Sequence, residues 1–90
     1  MIGKINRIIK YQVLKEFPDA LIIIDKKDND YRIIVDKNTY FNNKFKILVN
    51  NIKINILLEN KISNVFIVSV KKSDFINKFF NKNWVKLRTS

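Results

Sequence analysis

The sequence predicts an α+β domain: a small, mainly antiparallel three-stranded sheet with helices, in the order α-β-β-α-β-α. Three observations carry this reading. Ile5, Ile8, Ile9, Val13 and Phe17 recur at helical spacing just ahead of Pro18. Two β-branched runs, residues 20–25 and 31–36, flank a polar pentapeptide. A third apolar run, residues 65–70, precedes a candidate helix cap at Ser73.

The first helix is expected over residues 4–16. Its apolar stripe faces inward, while Lys4, Arg7, Tyr11 and Lys15 fall on the opposite side. Pro18 ends it, because the residue before a proline avoids the helical region. The next two runs, joined by Lys26-Lys27-Asp28-Asn29-Asp30, read as a β-hairpin. Both strands are nearly continuous in apolar residues, so part of their second face should also be covered.

Residues 44–58 satisfy two patterns. Phe45, Leu48, Val49, Ile52 and Ile56 make a helical stripe, with Asn42 or Asn43 as cap. The same segment alternates as a strand would, and Asn50-Asn51 could turn a second β-hairpin. Helix is the reading adopted, because the stripe crosses Asn50-Asn51 without a break in phase. It leaves Ile47, Ile54 and Leu58 on the far face, in need of another partner. Residues 65–70 read as a buried strand with Val68 inside. Beyond Ser73 and Asp74, the residues Phe75, Ile76, Phe79, Phe80 and Trp84 follow helical spacing. Residues 84–88 would either extend that helix or form a short strand.

One domain spanning residues 1–90 is expected from the length. Half of the chain is three residue types: 16 Ile, 15 Lys and 13 Asn. All three have AT-rich codons, so the formal net charge of +10 partly reflects coding bias. Its distribution says more than its total. Residues 19–36 hold five Asp against three basic residues, whereas residues 61–90 hold seven basic residues against Asp74 alone.

Enzyme chemistry is not expected. The chain has no His and no Cys, which removes the commonest general base, thiolate nucleophiles and the usual soft metal ligands. A single glycine, Gly3, excludes glycine-rich phosphate loops. No catalytic residue, metal, cofactor or small-molecule substrate is therefore assigned. Pro18-Asp19 followed by Asp25-Lys26-Lys27 resembles the motif of the metal-dependent PD-(D/E)xK nucleases over ten residues. In that family the two acids meet at one metal. Here one intervening strand would hold them about 20 Å apart, so the activity does not carry over.

The longest strictly apolar run, Ala20-Leu21-Ile22-Ile23-Ile24, is far short of the ~20 residues that span a bilayer. Lys4, Arg7 and Lys10 interrupt any signal-peptide core, which makes the cytoplasm the default location. Membrane-surface binding is not expected, because the apolar residues of the basic C-terminal segment are needed in the core.

Two functions remain. The first is nucleic-acid or nucleoprotein binding through Lys71, Lys72, Lys78, Lys82, Lys86 and Arg88, with Trp84 to stack on a base and Arg7 and Lys10 adding charge. Lys78, Lys82 and Lys86 would form one stripe if the last helix continued. The second is a protein-interaction or inhibitor module, contacting its partner either through the extra apolar face of Ile47, Ile54 and Leu58 or through acidic groups on the partner. Short, motif-free chains of AT-rich coding are common on phages and mobile elements, and many of them block a host complex.

Overall fold

A computed structural model describes residues 2–25, 29–58, 65–75 and 84–87, with side chains for 4–25, 29–58, 65–75 and 85–86. The elements are α1 (Ile2–Glu16), β1 (Leu21–Asp25), β2 (Asp30–Val35), α2 (Lys37–Tyr40), α3 (Asn43–Leu58), β3 (Phe66–Lys71) and β4 (Trp84–Leu87). A single 3₁₀ turn, Lys72–Asp74, follows β3.

The class is α+β as expected, but the sheet has four strands in the order β3-β2-β1-β4. It is mixed. β1 runs antiparallel to β2 and β4, while β2 and β3 are parallel. The parallel pair follows from α2 and α3, which lie between the two strands and return the chain to the end where β2 began. The fourth strand comes from Trp84–Leu87, which does not extend a helix. It pairs with the free side of β1, placing Val85 opposite Ile24 and Leu87 opposite Ile22. Ser73 sits inside the 3₁₀ turn and caps no helix there. The rest of the expected last helix, residues 76–83, lies outside the described residues.

α1 buries Ile5, Ile9 and Val13, one residue per turn, with Ile8, Leu14 and Phe17 half-buried beside them. Its last turn closes with Phe17 N–H donating to Val13 O at 2.8 Å, immediately before Pro18. α3 is one unbroken helix through Asn50 and Asn51, both exposed, so the second-hairpin alternative is wrong. Asn42 caps it: its Oδ1 accepts from Lys44 N–H at 2.7 Å and more weakly from Phe45 N–H at 3.4 Å. Phe45, Val49, Ile52 and Ile56 face the sheet. Between β2 and α3, Asp36 caps the short α2 by accepting from Thr39 N–H at 2.8 Å.

Both long helices contribute to one core with Ile22, Ile24, Tyr31, Ile33, Val35 and Ile67 from the sheet. Phe17 meets Phe45 edge-on, with ring centroids 5.3 Å apart. Each such buried side chain contributes roughly 1.5–3 kcal/mol. The second face of the sheet is covered unevenly. Ile23 and Ile34 are buried there, yet Phe66 and Val68 on β3 are exposed. The strand over β3 is therefore as expected, but its phase is not. Ile67 points to the helices, opposite Tyr31, and Val68 points out. Cover on the second face gives out toward β3, the edge strand.

Candidate functional site

The outer face of α3 leaves a row of apolar side chains open among the described residues. Ile47, Ile54 and Leu58 are 58%, 53% and 66% exposed, and Leu57 beside them is 52% exposed. At 100° per residue, positions 47, 54 and 58 lie opposite the stripe of 45, 49, 52 and 56. These are the three residues the sequence marked for a second partner. Alongside, the last turns of α3 and the edge strand β3 border a cavity of about 320 Å³ lined by Lys53, Ile56, Leu57, Val65, Phe66, Ile67 and Val68. Phe66 is 60% exposed, so the apolar surface continues from the helix onto the sheet edge. No acidic residue occurs from 37 to 58, whereas Lys37, Lys44, Lys46 and Lys53 do. The surface is apolar with a cationic surround.

Among the described residues, the basic positions predicted from the sequence do not all meet in one patch. Lys71 ends β3, Lys72 opens the 3₁₀ turn, and the two are neighbours at one sheet edge. Lys86 is exposed on β4, three strand spacings away, about 14 Å. Its register partner is Ile23, so it also lies on the other face from Lys71, which pairs with Val35. A helical stripe through Lys78, Lys82 and Lys86 does not form, because Lys86 is in a strand whose side chains alternate. Lys78, Lys82 and Arg88 lie outside the described residues. Trp84 opens β4 opposite Asp25. Arg7 and Lys10 sit on α1 with Lys4, Tyr11 and Lys15, where they border an open hollow floored by Ile8 and Leu14.

A basic and aromatic cluster does form at the α2–α3 corner, where sequence reasoning did not place one. Phe41 is 52% exposed and meets Tyr40 edge-on at 5.1 Å. The Nζ atoms of Lys46 and Lys71 lie over the Phe41 ring, 5.7 and 5.6 Å from its centroid. Lys71 Nζ is also 5.8 Å from the Tyr40 centroid and 3.6 Å from Asp74 Oδ2. Parallel pairing of β2 and β3 brings these groups together, since it ends β3 beside α2. The available signal was Asp36 with Thr39 three residues on, a capping pattern that starts a short helix ahead of Phe41.

Near the corner, Glu16, Asp19, Asp36, Thr39 and Lys72 help line a cavity of about 220 Å³. Hydrogen bonding from Thr39, its backbone N–H first, holds the Asp36 carboxyl below the ordinary aspartate range; Lys72 acts in the same direction. Asp19 precedes β1 and Asp25 ends it, so the two acids of the nuclease-like pattern are at opposite ends of one strand. Among the described residues no three acidic side chains gather where a metal could be held, and no helix is long and apolar enough to cross a membrane. No protein-family model, curated protein or solved structure matches the chain.

Proposed function

We propose that the protein is a non-enzymatic protein-interaction module, acting in the cytoplasm, whose partner presents apolar side chains within an acidic surface. The observation that carries this reading is the double apolar character of α3. One stripe is buried in the core, and the other leaves Ile47, Ile54 and Leu58 more than half exposed. Exposing a contiguous apolar patch is unfavourable unless a partner covers it. Charge selects that partner. A second copy of this chain would bring the lysines of α3 against one another, whereas an acidic surface pairs with Lys44, Lys46 and Lys53. A module of this kind acts by occupying a surface, which suits an inhibitor of an assembly.

The test is capture from nuclease-treated extract with the parent chain and with an Ile47→Glu, Ile54→Glu double variant. One protein is expected to be recovered by the parent, to rebind after purification at fixed stoichiometry, and to be lost by the variant. Recovery that vanishes with nuclease, or that survives in the double variant, overturns the reading.

A further inference from the structure

We infer that the α2–α3 corner is a binding site for single-stranded nucleic acid, in which Phe41 stacks on an unpaired base and Lys46 and Lys71 hold the flanking phosphates. This site uses none of the apolar residues of the outer α3 stripe, although Lys44 and Lys46 border both surfaces.

Three observations point to that ligand. Phe41 is 52% exposed, and its ring stands perpendicular to that of Tyr40 at 5.1 Å. Two ammonium groups lie within 5.7 Å of the ring centre, a reach similar to that between a base and its own phosphate. Further cations surround them: Lys37, Lys44 and Lys72 are exposed on the adjoining α2, α3 and 3₁₀ turn. An acidic peptide would use the ammoniums but leave the ring without a partner. A duplex would offer phosphates while keeping its bases stacked on one another. A single strand satisfies both halves of the site, because every base carries a π-face and every nucleotide a phosphate.

Asp74 sets the resting state. Its carboxylate is paired with Lys71 at 3.6 Å and is 63% exposed. An exposed pair of this kind is weak, so an incoming phosphate displaces it at little cost. Removing the carboxylate should therefore tighten binding, an effect that a merely structural cluster would not show.

The experiment titrates fluorescent single-stranded oligonucleotides, the matching duplex and polyglutamate against the full chain at low salt. Variants are Phe41→Ala, Lys46→Gln with Lys71→Gln, Asp74→Asn, and Lys4→Gln with Arg7→Gln on α1 as the control surface. Phe41→Ala is expected to weaken single-strand binding about tenfold or more. The double lysine variant should lower the slope of log affinity against log salt by about 1.4, from ~0.7 per phosphate contact. Asp74→Asn should raise affinity, and the α1 pair should leave the Phe41 effect intact. Thermal unfolding of each variant separates lost binding from lost folding. The site is overturned if the single strand does not bind, or if Phe41→Ala leaves its affinity unchanged. It is equally overturned if duplex or polyglutamate binding shows the same dependence on Phe41, or if only the α1 pair reduces binding.

Discussion

The phenol of Tyr31 on β2 donates a hydrogen bond to Asn6 Oδ1 on α1, tying the centre of the sheet to the first helix across 25 residues of sequence. Tyr31 is 1% exposed, and burial pushes its pKa up from 10.0 to about 12. Replacing it with Phe keeps the ring but leaves Asn6, half-buried, without this donor. The expected cost is ~1–2 kcal/mol, read from urea unfolding near neutral pH.

Burial of the Tyr31 phenol also predicts an alkaline limit to stability. The folded chain keeps the Tyr31 proton up to about pH 12, and the unfolded chain releases it from about pH 10. Between those values the unfolded state binds fewer protons, so stability falls as pH rises. Below pH 10 the contribution is fully present. All other groups are common to both proteins, so the informative quantity is the difference between parent and Tyr31→Phe. That difference should shrink as pH rises from about 10 toward about 12. A constant difference would show that the Tyr31 proton is not held more tightly in the folded chain.

On β3, Ile67 is 7% exposed and Val68 is 40% exposed. Ile67→Asp would place an unpaired charge against Tyr31 and the helices, costing on the order of 3 kcal/mol or more, enough to unfold a marginal domain. Val68→Asp should shift thermal unfolding only slightly. Equal loss in the two variants would mean that the second face of the sheet is closed over β3.

Helix α1 was legible from its 3.6-residue period and Pro18; α3 also alternated as a strand would, and was legible because its stripe crosses Asn50-Asn51 without a break in phase and Asn42 marks its start. Ile47, Ile54 and Leu58 were legible for the same reason: a helix that buries Phe45, Val49, Ile52 and Ile56 must turn them outward. The sheet was less so. Which of Ile67 and Val68 faces the core depends on register with Tyr31, a pairing between segments 36 residues apart for Ile67, and neither residue is more apolar than its neighbour in any way that fixes it. Trp84–Leu87 is too short for alternation to outweigh the helical spacing of the aromatics before it. The Phe41 corner was hidden because Lys71 reaches it only through the parallel pairing of β2 with β3.

The unbroken run of α3 through Asn51 gives a direct prediction. Asn51 is exposed in the helix interior, where Asn is a poorer helix former than Ala. Asn51→Ala should stabilise the protein by roughly 0.5 kcal/mol, and Asn51→Pro should cost ~3 kcal/mol. A turn at this position would give the reverse for Ala, which lacks the side-chain bonds and left-handed tolerance that suit Asn to turns. Thermal unfolding of the two variants decides it.

Ile52 and Ile54, two residues apart on α3, should behave as opposites. Ile52 is 0% exposed within the core, whereas Ile54 is 53% exposed on the outer face. Ile52→Ala removes buried methyl groups and leaves a cavity, for an expected loss of 2–5 kcal/mol, about that of other large-to-small core changes. Ile54→Ala should stay within about 0.5 kcal/mol of the parent, as surface changes usually do. A polar Ile54→Gln should fold equally well and weaken partner capture, because it interrupts the apolar stripe between Ile47 and Leu58. Denaturant midpoints for the two alanine variants and capture from nuclease-treated extract for Ile54→Gln check both halves. If Ile54→Ala proved as costly as Ile52→Ala, the outer stripe would already be covered within the chain, and α3 would have no face left to offer a partner.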